Sequence, residues 1–187
     1  MAVYTKLSEK ELKNFFSKYD LGDLINYKAI EEGIENTNYF TMTGKGKFIL
    51  TLYEKRVEVK DLPFFIGLMK NLFDKGFPSP EPMINKNGNY ISEILGKKAA
   101  LVSFLDGKSK KNLSPNDCYQ VGISTAKLHV ITKDLTGKRV NKLSVNSWRK
   151  LYDKVKQDCT KIHKNLPKII EKNLSEIENS WPNNIPS

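Results

Sequence analysis

Between Tyr27 and Ser103 the chain falls into short β-favouring runs broken once by a helical segment, and from Ser114 onward its apolar period is helical. That order restricts the possible folds more than any other feature. Tyr27 to Ile34 and Asn38 to Thr43 read as two strands joined by Glu35-Asn36-Thr37, and Gly44-Lys45-Gly46 is a hairpin signal before the strand Phe48 to Tyr53. A helix follows, with Pro63 in its first turn, Phe65, Leu68, Met69, Leu72 and Phe73 at helical spacing, and Gly76 with the Pro78–Pro82 stretch as its stop. Asn87-Gly88 marks a turn between two short strands, Met83-Ile84 and Tyr90 to Ser92, and Gly96 leads into the apolar strand Ala99 to Val102. About five strands with one helix after the third are expected.

Helices account for the remainder. Ser8 and Glu11 form a capping-box pair that opens a short N-terminal helix with Leu12, Phe15 and Phe16 on one face. Downstream, Asn116 to Val130 is helical, and Ser144 caps a helix with Trp148, Leu151, Tyr152, Val155, Cys159 and Ile162 on one face. Pro167 starts another, carrying Ile169, Ile170, Leu174, Ile177 and Trp181. The fold class is α+β: a five-stranded antiparallel N-terminal lobe with one helix over residues 1–102, a hinge at 103–107, and an incomplete helical C-terminal lobe over 108–187.

Charge and composition narrow the function. The net charge is +10, which favours an anionic ligand, but the basic residues are dispersed and only Arg56, Arg139 and Arg149 are arginine. Nucleic-acid surfaces favour arginine for bidentate and stacked contacts, so no nucleic-acid partner is expected. No stretch approaches the roughly 18 apolar residues of a membrane span. Met1 to Leu12 lacks the apolar core of a secretory signal, so a cytoplasmic protein is expected, with no membrane partner. Cys118 and Cys159 lie far apart, suit a reducing compartment, and read as small buried hydrophobes.

Gly33-Ile34-Glu35-Asn36-Thr37-Asn38-Tyr39-Phe40 closely resembles the nucleotide loop of the homoserine kinases, members of the aminoglycoside-phosphotransferase and choline-kinase superfamily with a protein-kinase-like fold. Phe48 to Glu54, Leu62 to Phe65, Gly76 to Pro80, Leu101 to Gly107 and Ala126 to His129 continue the resemblance in register across nearly the whole chain. It implies ATP-dependent phosphorylation of the L-homoserine hydroxyl, a step on the route to threonine. ATP and L-homoserine are then the expected partners, and Mg²⁺ accompanies the nucleotide. Another small-alcohol kinase, acting on choline, methylthioribose or an aminoglycoside, is the alternative, as is a non-catalytic nucleotide-binding module.

The chemistry of each segment agrees with that resemblance. Phosphoryl transfer rests on positioning and charge neutralisation, and a turn between strands can offer backbone N–H groups to phosphate oxygens. Asn36, Thr37 and Asn38 are the candidate phosphate loop, the two asparagines adding amide donors; an ordinary turn is the plain alternative. Ser103, Phe104 and Leu105 form the candidate hinge. By resemblance, main-chain groups of Ser103 and Leu105 hold the purine edge while Phe104 and Leu105 supply apolar area. Thr51 stands where protein kinases carry a phosphate-gripping lysine, and the helix that follows has no glutamate in its body. Lys47 or Lys55 is then the candidate replacement cation.

His129 reads as structural. His163 faintly echoes the catalytic H-[GA]-D-L-x-P-x-N of the family, but Asn165 stands in the aspartate position and His163 continues a helical stripe. Asp106, Asp117, Asp134, Asp153 and Asp158 lie in no catalytic context. Trp181-Pro182-Asn183-Asn184-Ile185-Pro186-Ser187 resembles the segment that precedes the catalytic loop in homoserine kinases. The reading frame is therefore expected to continue past Ser187, with the catalytic base and metal ligands there, and the chain by itself to be inactive.

Overall fold

The computed structural model describes residues 3–54, 58–137 and 139–182. The chain divides into two compact units, Met1–Gly137 and Lys138–Ser187. The first unit is built on a five-stranded antiparallel sheet in the order β1-β2-β3-β5-β4. In chain order its elements are α1 (Glu9–Phe16), β1 (Leu24–Ile30), β2 (Thr37–Thr43), β3 (Gly46–Leu52), α2 (Leu62–Asp74), β4 (Ile91–Ile94), β5 (Lys97–Ser103) and α3 (Pro115–Thr132). The α+β class, the antiparallel sheet and the helix after the third strand are as the sequence predicts.

Alternation sets the two faces of the sheet. Along β2, Thr37, Tyr39, Thr41 and Thr43 are buried while Asn38, Phe40 and Met42 are half-exposed. Along β3, Phe48, Leu50 and Leu52 are buried while Ile49 and Thr51 are not. The period of 2 gives each strand one packed and one open face. α1 covers the packed face: its capping box forms as expected, and Leu12, Phe15 and Phe16 meet Tyr39, Phe48, Leu50, Leu52 and Leu101 in one core. Burying side chains of this size contributes about 1.5–3 kcal/mol each. The Tyr19 hydroxyl, 2.9 Å from that of Ser92, ties the end of this segment to β4.

Several boundaries differ from the sequence reading. β1 begins at Leu24 and ends at Ile30, so residues 31–36 form a loop in which Gly33 adopts φ +110°. Thr37 is the first residue of β2. Met83-Ile84 forms no strand; Pro82 makes an isolated bridge to Val102 and Met83 donates to the Leu101 carbonyl at 2.8 Å. Pro82 has no N–H to extend that ladder. The Asn85 side chain instead accepts the Asn87 and Asn89 N–H groups, each at 3.0 Å, and organises the Asn87-Gly88 turn. The β4–β5 hairpin turns at Leu95-Gly96, both with positive φ, +50° and +72°. This is the backbone of a two-residue primed turn, with leucine where asparagine or glycine is usual.

α2 buries Leu62, Ile66 and Leu72 and stops at Gly76, whose φ of +71° lets Phe77 donate to the Leu72 carbonyl at 2.9 Å. α3 opens on a second capping box, Ser114 with Asp117, and buries none of its residues. Cys118, expected to be buried, is exposed on its first turns; position in a helical pattern does not fix which face is covered.

The second unit holds α4 (Val145–Ile162) and α5 (Leu166–Ser180). Tyr152, Cys159 and Leu174 form its core with Trp148, Leu166 and Ile170 against them. The Tyr152 hydroxyl donates to the Pro167 carbonyl at 2.9 Å, and Arg149 binds both Glu171 and Glu178. Ser144 sits at the N-cap of α4, but its hydroxyl makes no capping bond. Leu151, Val155, Ile162 and Ile169 stay exposed, so the expected stripe is only half covered. His163 does not continue the helix: it ends α4 in an extended conformation and accepts the Asn165 N–H at 3.2 Å.

Candidate nucleotide site

The open face of the sheet gathers three of the sequence-predicted residues, Asn38, Thr51 and Phe104. Asn38 on β2 lies opposite Thr51 on β3, and the Thr51 hydroxyl donates to the Asn38 amide oxygen at 2.8 Å. Asn38 therefore keeps its NH₂ donors for other partners. Two residues along β2 on the same face, Phe40 meets the ring of Phe104 edge to face, centroids 5.2 Å apart. The loop–strand end and the hinge thus converge on one surface, and the half-exposed Ile49 and Val102 lie between them.

In the candidate hinge, Phe104 donates to the Lys47 carbonyl at 3.0 Å and Ser103 to the Glu81 carbonyl at 2.9 Å. In antiparallel alternation Phe48 and Ser103 then form a non-hydrogen-bonded pair, with the Ser103 main-chain groups facing away from β3. The Ser103 hydroxyl accepts the Glu81 N–H at 2.8 Å. No hydrogen bond among the described residues uses the Leu105 N–H, and the Leu105 side chain is exposed.

Asn36 and Thr37 are placed differently. The Asn36 amide oxygen accepts the Glu54 N–H at 3.4 Å. Thr37 points into the packed face, 0% exposed, where its hydroxyl accepts the Tyr4 and Thr5 N–H groups and donates to Glu54 at 2.7 Å. What Thr37 can offer a ligand is main chain only.

Lys47 does not reach the loop. It lies opposite Met42, four residues from Thr51 or about 13 Å along the strand. Its ammonium sits 3.3 Å from Asp106 and over the Phe104 ring. Lys47 thus stands at the Phe104 end of the strand; Lys55 lies outside the described residues.

The sequence reading missed Tyr4, Thr5 and Lys97, which join Glu54 behind the loop. Lys97 pairs with Glu54 and also donates to the Thr5 hydroxyl. Burial pushes the Glu54 carboxyl up, but bonds from Lys97, Thr5 and Thr37 together outweigh it and hold the carboxyl below its ordinary range. No local motif announces this cluster, because its members come from four distant segments. A cavity of about 660 Å³ beside α1 is lined by Lys45 and Lys86, whose ammonium groups donate to the main-chain carbonyls of Asp20 and Ser17. Among the described residues no group of three or more His, Cys, Asp or Glu could hold a metal, and no helix is long and apolar enough to cross a membrane.

A five-stranded antiparallel sheet followed by helices, with polar and aromatic residues on its open face, is a fold shared with kinase-like phosphotransferases. Residues 26–186 match the phosphotransferase enzyme family, and the chain belongs to it. Among solved structures, a spectinomycin phosphotransferase in complex with ADP and spectinomycin superimposes with a TM-score of 0.68 at 12% identity, over 98% of this chain and 60% of that one. A microcompartment-associated aminopropanol kinase gives 0.58 at 14% identity, over 76% and 48%. Both likenesses are of fold. By sequence the chain is 42% identical over its full length to a homoserine kinase of Agrobacterium fabrum and 41% identical to one of Nitrobacter hamburgensis. It spans 58% and 57% of those relatives.

Proposed function

We propose that this chain is the nucleotide-binding part of an enzyme that transfers the γ-phosphoryl group of ATP to the side-chain hydroxyl of L-homoserine. The observation that carries the reading is the 42% identity, along the whole chain, to a homoserine kinase. In the reaction the homoserine oxygen bonds to the γ-phosphorus, the bond to the β–γ bridging oxygen breaks, ADP leaves, and the hydroxyl proton passes to a base. Residues 1–102 act as the nucleotide lobe, 103–107 as the hinge, and 108–187 as part of the helical lobe.

Within that reading the adenine edge meets the Ser103 carbonyl and the Leu105 N–H, with Phe104 and Leu105 as apolar contacts. The phosphates meet the Asn36-Thr37-Asn38 loop, Asn38 contributing its amide donors and Thr51 holding that amide in orientation. The shared face of Asn38 and Phe40 supports this, since one extended ligand can touch both ends. Mg²⁺ accompanies ATP, and among the described residues no group of three or more His, Cys, Asp or Glu could hold it. The protein is placed in the cytoplasm, with no nucleic-acid or membrane partner.

The test is an ATP-dependent assay on the product of the whole reading frame, offering homoserine, choline, methylthioribose and spectinomycin in parallel. Phosphorylation of homoserine above the others is expected. Preference for another alcohol would replace the substrate, and no transfer to any of them would remove the activity.

A further inference from the structure

We propose that Tyr4, Thr5, Glu54 and Lys97 form a brace on the α1-covered side of the sheet that positions the Gly33–Asn38 loop, and through it the phosphates of the bound nucleotide. The second half rests on the nucleotide reading above; the first half rests on geometry alone. The Tyr4 hydroxyl donates to the Ile34 carbonyl at 2.8 Å, and the Tyr4 and Thr5 N–H groups donate to the Thr37 hydroxyl at 3.0 and 3.2 Å. The Thr5 and Thr37 hydroxyls each donate to the same Glu54 oxygen at 2.7 Å. Lys97 holds the other Glu54 oxygen and donates to the Thr5 hydroxyl, while the Glu54 N–H reaches Asn36.

The Thr37 hydroxyl is saturated in this arrangement, and that of Thr5 is engaged as both donor and acceptor. Thr37 accepts two bonds and gives one; Thr5 accepts from lysine and gives to glutamate. The Glu54 side chain is 9% exposed, so its charge depends on these partners. A half-buried ion pair is weak support for stability by itself and is better explained where it fixes a particular arrangement. Here the arrangement fixed is the loop. Outside the strand ladder, the hydrogen bonds that hold residues 31–36 among the described residues are Tyr4 to Ile34 and Glu54 to Asn36. Both come from the brace. Thr37 carries the brace on the packed face, and its neighbour Asn38 faces the open one, so a shift of the first moves the second. Thr5, Glu54 and Lys97 bond to one another and to the packed-face Thr37, and the Tyr4 hydroxyl bonds to the loop main chain, which makes all four positioning residues.

The test uses the product of the whole reading frame and the variants Tyr4→Phe, Lys97→Met and Lys97→Arg. Tyr4 is exposed, so Tyr4→Phe removes one bond with little risk to folding. Amide hydrogen exchange is followed across residues 33–38 and along β3 and β5, and ATP and adenosine affinities are measured by calorimetry. Tyr4→Phe and Lys97→Met are expected to speed exchange at 33–38 about tenfold while β3 and β5 keep their rates, as for a local opening. ATP affinity is expected to fall roughly 5- to 10-fold with adenosine affinity unchanged, the size of one lost hydrogen bond, and Lys97→Arg is expected to restore both. Unchanged loop exchange in both variants overturns the brace. Equal loss of ATP and adenosine affinity overturns the positioning of phosphates and leaves general destabilisation. A wild-type chain that binds neither ligand overturns the nucleotide reading and the phosphate half with it, while loop exchange still decides the brace.

Discussion

The Thr51 hydroxyl donates a 2.8 Å hydrogen bond to the amide oxygen of Asn38 across the β2–β3 ladder, on the open face of the sheet. A lysine at position 51 would put a cation here; threonine instead orients a neutral donor. If that amide meets the phosphates, Asn38→Ala should weaken ATP by about 1.5–3 kcal/mol, or roughly 10- to 100-fold, since the partner is charged. Adenosine should bind Asn38→Ala as it binds the wild type. Thr51→Ala should cost less, about 1 kcal/mol, because the donor remains and only its orientation is lost. Calorimetric titration of both ligands distinguishes these outcomes. Equal ATP affinity in wild type and Asn38→Ala would take the loop out of phosphate binding.

The hinge prediction separates main chain from side chain. Among the described residues no hydrogen bond uses the Leu105 N–H, and the residue lies outside any regular element. Leu105→Pro removes that donor and should reduce adenosine affinity about tenfold, the value of one hydrogen bond. Leu105→Ala keeps the donor and should stay within about threefold, since part of a half-open contact is lost. If the alanine variant loses more than the proline variant, side-chain packing and not the N–H holds the base.

A third expectation concerns stability only. Leu95 adopts φ +50° and is 54% exposed, so it is in a strained backbone region with little packing in return. Left-handed backbone costs a non-glycine residue roughly 1–2 kcal/mol, and asparagine tolerates it better. Leu95→Asn should raise stability by about 1 kcal/mol in urea unfolding. A lower midpoint would show that the leucine side chain contributes more than its exposure suggests.

The architecture was legible because period and punctuation agree: alternation along β2 and β3, glycine at Gly76 and Gly96, and the Ser8–Glu11 cap each specify local structure. What local pattern could not resolve was decided by tertiary partners. Met83-Ile84 has strand composition, but Pro82 lacks the N–H a ladder needs. Cys118 and the apolar residues of α3 sit at helical spacing without being covered. Within the site, Asn38, Thr51 and Phe104 could be named from the loop, strand and hinge in which they stand. Thr5 and Lys97 could not, because 92 residues separate them and only the folded sheet brings them to Glu54.

Glu54 supplies the pH prediction. Its carboxyl is held below its ordinary range in the folded chain, burial being outweighed by the bonds from Lys97, Thr5 and Thr37. A carboxyl depressed by folding stabilises the protein above its unfolded pKa of about 4.5, and that contribution is lost as pH falls through the lower folded value. Glu11, Glu93, Asp117, Glu171 and Glu178 are depressed too, so the acid limb of the wild type is a sum over several groups. The difference between wild type and Glu54→Gln isolates one of them. Glutamine keeps the shape and can still accept from Thr5 and Thr37, but it cannot pair with Lys97. Glu54→Gln should therefore melt below the wild type at pH 7, with the gap narrowing below pH 4.5 as Glu54 itself becomes protonated. Thermal melts at pH steps between 7 and 3 give the comparison. A gap that stays constant with pH would mean that the charge of Glu54 contributes nothing to the brace, and that its hydrogen bonds alone hold Thr5, Thr37 and Lys97 in place.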